Sequence, residues 1–206
     1  GTLTIQGVDR LGSGSHRVMT DRIELGTFAV LGSFPGNRID LPLEGVEAIA
    51  SLLGVLEGMG VHMERKGAFL RVEGKGGLLP SRVVTEPYPG FPTDLQAQLT
   101  ALMTQADGVS AVEETIFENR FQHVPELCRM GARIEVSGRE VRVMGPSSLK
   151  GAEMMASDLR ASAALVLAGL VAKGTSRIEN ACQLLRGYER LPEKISALGG
   201  RIRMTE

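Results

Sequence analysis

Thr93-Asp94-Leu95-Gln96-Ala97-Gln98-Leu99 stands near the middle of this 206-residue chain, and the chain carries its opening three times. Thr20-Asp21-Arg22 and Ser157-Asp158-Leu159-Arg160 begin apolar, helix-like runs in the same way. The aspartates are 73 and 64 residues apart (21 to 94, 94 to 158). A second marker keeps step. Leu56-Glu57-Gly58-Met59-Gly60, Leu127-Cys128-Arg129-Met130-Gly131 and Ile195-Ser196-Ala197-Leu198-Gly199-Gly200 are spaced by 71 and 69 residues (60 to 131, 131 to 200). Self-similarity at a fixed period means copies of one supersecondary unit. The units span about 15–75, 80–145 and 150–206 within a single domain, 1–206.

Each unit reads as βαβαββ. In the first, His16-Arg17-Val18-Met19 is a predicted strand and 21–31 a helix. Arg38-Ile39-Asp40-Leu41 is a strand, 43–59 a helix, and 61–64 with 69–72 a hairpin around Lys66-Gly67. The second has a strand at 82–85, helices near 94–106 and 121–130, and a hairpin of 133–136 with 140–143. The third has helices near 158–172 and 187–198 and one strand, 201–204. Thr93 with Gln96 reads as a capping box, and the three aspartates as first-turn acids that complement the helix dipole.

The run from Ala161 to Val171 has almost no polar face, and a helix apolar all round is buried all round. The hairpin strands alternate, so one of their faces is wet. The expected fold is therefore an α/β (α+β) inside-out barrel, a prism of three units with helices inside and sheets outside.

The bulk numbers exclude several classes. Net charge is −1, so no global field favours nucleic acid or a membrane surface. The longest apolar stretch is far short of the roughly 20 residues that span a bilayer. Two cysteines, Cys128 and Cys182, make no disulfide framework, and a cytoplasmic setting is expected. Cys182 reads as a small buried hydrophobe. No spacing of His, Cys, Asp or Glu suggests a metal site. Gly12-Ser13-Gly14 lacks the rest of a phosphate loop, so no cofactor is expected.

Asp94 follows Tyr88-Pro89-Gly90-Phe91-Pro92-Thr93, a stiff approach that the other copies lack. A carboxylate placed this way is a candidate general base towards a hydroxyl. Arg120 and Arg186 fall at corresponding strand-to-helix junctions of units two and three, and Arg160 opens the first helix of unit three as Arg22 does in unit one. Arginines at equivalent element ends cluster in space and suit carboxylate and phosphate oxygens. His123 reads as a hydrogen-bonding residue at a helix start.

Four stretches carry a resemblance along the length of the chain. They are Phe91-Pro92-Thr93-Asp94-Leu95-Gln96-Ala97-Gln98, residues 118–127 (ENRFQHVPEL), residues 156–163 (ASDLRASA) and Arg186-Gly187-Tyr188-Glu189-Arg190. They resemble the UDP-N-acetylglucosamine 1-carboxyvinyltransferases of peptidoglycan synthesis, within the enolpyruvyl transferase family. The resemblance implies enolpyruvyl transfer from phosphoenolpyruvate to the 3-hydroxyl of UDP-N-acetylglucosamine, with release of phosphate. It makes Asp94 the residue that binds and deprotonates that hydroxyl. Ile116 becomes a backbone-contacting position near the nucleotide sugar, Arg186 a mobile phosphoenolpyruvate ligand, and Arg120 and Arg160 further anion ligands. The family pattern has an aspartate where this chain has Leu185. The resemblance covers only the second half of the family, so the N-terminal domain with its cysteine loop is expected as a missing partner and the chain alone as inactive. The shikimate-pathway enolpyruvyl transferase and a non-catalytic nucleotide-sugar-binding module are the alternatives. The strand at 201–204 has an open edge, which residues 3–8 are expected to cover, within one chain or by a strand-swapped homo-oligomer.

Overall fold

Asp21 sets the first helix. Its side chain accepts hydrogen bonds from the amides of Ile23 (2.8 Å) and Glu24 (3.2 Å), two donors that a helix start leaves without partners. Helix α1 (Arg22–Ser33) grows from that cap in the computed structural model, which describes residues 2–205. Asp158 does the same for α5 (Leu159–Val171), accepting from the amides of Arg160 and Ala161. Asp21 and Asp158 are thus caps rather than first-turn residues.

The first unit continues through β1 (Arg38–Pro42), a 3-10 turn (Val46–Ile49), α2 (Ala50–Gly58), β2 (His62–Lys66) and β3 (Phe69–Glu73). Its sheet has the order β1-β3-β2 and is antiparallel. The second unit holds β4 (Arg82–Val84), a 3-10 turn (Thr93–Leu95), α3 (Gln96–Met103), β5 (Gly108–Glu113), α4 (His123–Arg129), β6 (Ile134–Ser137) and β7 (Glu140–Gly145). Its order is β4-β5-β7-β6, with β4 parallel to β5. The third holds β8 (Glu153–Met155), α5, β9 (Arg177–Glu179), a 3-10 turn (Ala181–Arg186) and α6 (Leu191–Ala197), with β8 parallel to β9.

The first helices of the units are the core. Every residue of α3 is buried, as is α5 from Ala161 to Ala168, and α3 packs against both α5 and α1. One apolar cluster draws on all three units, among them Phe34, Leu99, Leu102 and Leu165. The strand β1 alternates exposed and buried residues, so its sheet keeps a wet face. Sheet and helix meet at the same joint in units one and two. A side chain at Gly74, just past β3, would sit 2.3 Å from the Ser33 and Phe34 carbonyl oxygens, and one at Gly145, ending β7, 2.3 Å from that of Ala106. Only glycine allows so close an approach of backbone to backbone.

Only the second unit is a full βαβαββ. Residues 16–19 form no strand, and Val18 is 79% exposed. A four-residue strand would turn only two side chains to any one face, too little burial to offset ordering costs of about 1–2 kcal/mol per residue. Residues 201–204 form no strand either. Such a strand needs a neighbour like β3 or β7, and none lies beside β9 among the described residues. Residues 3–8 join no ladder, with Leu3 and Ile5 exposed, so they do not cover that edge within the chain. The strands β5, β8 and β9 fill places in the βαβαββ repeat for which the sequence reading names no residues. Among the described residues no helix is long and apolar enough to cross a membrane.

Candidate functional site

The second unit departs from its siblings at its aspartate. Asp94 lies in the 3-10 turn before α3 and caps nothing. Its Oδ1 accepts from Nη2 of Arg120 at 2.7 Å, and its Oδ2 from Nη2 of Arg160 at 3.2 Å. Arg120 comes from the loop between β5 and α4, and Arg160 from the first turn of α5, so units two and three converge on one carboxylate. That carboxylate is 36% exposed, while the guanidinium side chains are 21% and 17% exposed. Half-burial pushes the Asp94 carboxyl towards the neutral form. The hydrogen bond from Arg120 and the charge of Arg160 outweigh it and hold the carboxyl below its ordinary value.

The expected capping box does not form, because its hydroxyl is used elsewhere. Thr93 Oγ1 donates to Glu114 Oε2 (2.7 Å) and accepts from Arg120 Nη1 (2.8 Å), and the buried Gln96 carboxamide has no hydrogen-bond partner. Glu114 is 1% exposed. Its Oε1 accepts from Thr85 Oγ1 (2.9 Å) and from the amides of Ile116 (2.9 Å) and Phe117 (3.1 Å). Ile116 therefore already spends its N–H within the fold. The Phe117 ring lies 4.7 Å from the Arg120 guanidinium and adds a cation–π contact.

Arg186 does not join this cluster. It ends the 3-10 turn before α6, is exposed, and donates to Gln183 Oε1 (3.2 Å). The next residue, Gly187, packs on Leu159 at the start of α5, where a Cβ would lie 2.6 Å from Leu159 Cδ2. Arg186 therefore sits on a loop anchored next to Arg160. Arg22, at the start of α1, stacks on Tyr88 (5.1 Å) and pins the approach to Asp94. Cys182 is exposed, since it faces outward from the 3-10 turn whose Leu184 is buried. Among the described residues no group of three or more His, Cys, Asp or Glu gathers as metal ligands.

Two buried polar features escaped the sequence reading. Tyr188 (1% exposed) donates to Thr27 Oγ1 of α1 (2.8 Å), which itself donates to the Ile23 carbonyl. Gln98 Nε2 of α3 reaches both hydroxyls at 3.2 Å. One side chain from each unit meets there. Glu114 was legible in principle, because strand alternation turns it to the same inner face as Val112.

His123 starts α4 fully buried, with no partner at Nε2, so it is not the hydrogen-bonding residue expected. Burial lowers its pKa from 6.5 to about 4, Asp158 opposing and Arg120 adding to the effect. Above pH 6.5 folded and unfolded chains both hold it neutral. Below that the unfolded chain binds a proton that the folded chain refuses down to about pH 4. Its contribution to stability is therefore lost as pH falls through this window, by about 2 kcal/mol at pH 5. Urea unfolding at pH 7.5 and 5.0 should show a smaller acid loss in His123→Gln than in the parent. Equal losses in both proteins contradict this assignment.

Comparison with known proteins shows the family. The family profile described as EPSP synthase (3-phosphoshikimate 1-carboxyvinyltransferase) matches residues 1–195. The protein named UDP-N-acetylglucosamine 1-carboxyvinyltransferase from Nitratidesulfovibrio vulgaris is 52% identical over 209 aligned residues, covering 99% of this chain and 49% of its own length. The protein of the same name from Cereibacter sphaeroides is 50% identical over 203, covering 98% and 48%. This chain thus spans about half the length of the curated relatives it matches. Among solved structures, the enolpyruvyl transferase NikO from Streptomyces tendae superposes with a TM-score of 0.83 at 32% identity, over 91% of this chain and 45% of that one. EPSP synthase from Acinetobacter baumannii shares the fold at TM-score 0.60 and 19% identity, over 85% of this chain and 44% of that one. With its profile matched over nearly the whole length, this chain belongs to the EPSP synthase family.

Proposed function

We propose that this chain forms one half of an enolpyruvyl transferase that joins the enolpyruvyl group of phosphoenolpyruvate to the 3-hydroxyl of UDP-N-acetylglucosamine, releasing phosphate, in peptidoglycan synthesis. One observation carries the reading. Asp21 and Asp158 spend their carboxylates on helix amides, whereas Asp94 holds its own in a half-open site between two arginines. The relatives at about 50% identity, which bear the name of that transferase, support the choice of acceptor.

In this reading Asp94 accepts the hydroxyl proton as the hydroxyl oxygen bonds to C2 of phosphoenolpyruvate; the double bond opens with C3 taking up a proton, and loss of phosphate from C2 with a proton from C3 restores it. Pinned by two guanidinium groups it is a weak base. An arriving phosphate and carboxylate compete for Arg120 and Arg160. As those arginines turn to the substrate, Asp94 loses its cationic partners and gains proton affinity when the hydroxyl is in place. Arg186, exposed on its loop, is the third anion ligand, and Ile116 lies along the nucleotide-sugar side. The units are read as closing into a prism, sheets outermost, with the site at one end. Turnover needs the half of the relatives' length that this chain does not span.

Phosphate release from phosphoenolpyruvate and UDP-N-acetylglucosamine tests this. We expect none from the chain alone, and release once the other half of a relative is supplied. Turnover by the chain alone would refute the half-enzyme reading. The family profile's own description favours a second reading, with shikimate 3-phosphate as acceptor. Tighter equilibrium binding of shikimate 3-phosphate than of UDP-N-acetylglucosamine would move the assignment there.

A further inference from the structure

Glu114 is a buried carboxylate with no cation touching its oxygens among the described residues. It is held instead by four hydrogen bonds, and the division between its two oxygens matters. Oε1 takes three donors: the Thr85 hydroxyl and the amides of Ile116 and Phe117. Oε2 takes one, the Thr93 hydroxyl. Leaving such an acceptor unmet in a buried place is costly, so the Thr93 proton is committed to Glu114. A hydroxyl whose proton is committed can only accept from its other side. Arg120 Nη1 occupies that side at 2.8 Å, while Nη2 of the same guanidinium grips Asp94. The fork is planar and rigid, so fixing one nitrogen fixes the other.

We infer that Glu114 is a positioning residue: through the Thr93 hydroxyl it holds the Arg120 fork against Asp94, and through the Ile116 and Phe117 amides it ties that fork to the loop beside it. The chain of contacts is continuous, from the end of β5 through the turn before α3 to the first turn of α5. Phe117 closes it, since its amide is held by Glu114 and its ring stacks on Arg120. The catalytic weight of this arrangement rests on the function proposed above, but the arrangement itself does not.

Glu114→Gln separates the two oxygens' jobs. The amide oxygen can still accept from Thr85, Ile116 and Phe117. The amide nitrogen, placed where Oε2 was, donates, so the Thr93 hydroxyl proton loses its acceptor. The measurement is the titration of the Asp94 carboxyl in the full chain, followed by carbon NMR. Two effects of Glu114→Gln carry opposite signs. Removing a nearby negative charge by itself lowers the Asp94 pKa further. Releasing the Arg120 fork raises it. We expect a rise. Thr93→Val should give a rise too, Thr93→Ser should titrate as the parent does, and the Glu114→Gln/Thr93→Val pair should rise no further than the larger single change. An unchanged or lowered Asp94 pKa in Glu114→Gln, or additive rises in the pair, overturns the inference. Should Glu114→Gln not fold, Thr93→Val alone decides: a rise supports the link and no change overturns it. No substrate enters this titration. Failure of the phosphate-release test would therefore remove the proposed function while leaving the positioning role standing, and the reverse holds equally.

Discussion

Asp94→Asn is expected to lower turnover of the assembled transferase by roughly 10²–10⁴-fold, the ordinary contribution of a positioned general base. The same change should tighten binding of inorganic phosphate to this chain about tenfold, a gain of ~1.4 kcal/mol. The two effects share one cause. In the parent, any anion entering the site must take Arg120 and Arg160 from a carboxylate that holds them at 2.7 and 3.2 Å. Asparagine keeps the volume but drops the charge, so both guanidinium groups become available. Phosphate release assays read the first effect, and phosphate titration of the isolated chain reads the second. Unchanged turnover would remove Asp94 from the chemistry. Unchanged phosphate affinity would mean that the anion sits elsewhere.

Tyr188→Ala is expected to cost about 3–5 kcal/mol of folding stability, as for other large buried aromatics cut back to alanine. For a domain of this size that lowers the melting temperature by roughly 10 °C. Tyr188 fills space between α5 and α6, in a cluster with Ala163, Val166, Leu191 and Ile195. Its hydroxyl is bound to Thr27 and Gln98. Tyr188→Phe should cost only about 1–2 kcal/mol, because the ring stays and Thr27 still bonds the Ile23 carbonyl. Urea denaturation separates the cases. Similar losses for the two variants would mean that the hydroxyl, and not the ring, holds the third unit in place.

The repeat was legible because it is written in strong local signals: an aspartate before an apolar run, and a glycine after a helix. The helical core followed from the all-round apolarity of 161–171. The short strands did not. β8 and β9 have three residues each, too few for alternation to register. Residues 16–19 and 201–204 looked like strands by composition, yet a strand exists only with a ladder partner. At the site, Asp94, Arg120 and Arg160 were found through their places in the repeat, and they meet. Arg186 was found the same way and stands apart, since nothing in its local sequence says which way an exposed side chain turns. Thr93 was misread as a cap because Thr-x-x-Gln fits that pattern. What overrode it was Glu114, 21 residues away in sequence: strand alternation turns it inward, but no local rule ties it to Thr93.

The three helix starts also differ in what they leave behind. A side-chain cap contributes about 1 kcal/mol to the first turn it serves. α1 and α5 keep theirs, while α3 begins from a 3-10 turn without one. Side-chain bonds hold that turn in a cap's place: Thr93 to Glu114, and Asp94 to Arg120 and Arg160. Local opening is cheapest where such bonds are missing. An anion that draws the two arginines away therefore loosens the turn that carries Asp94, and part of its affinity is spent on that loosening. Phosphate binding should consequently speed amide hydrogen exchange at 93–96 relative to the equivalent turns of the other two units.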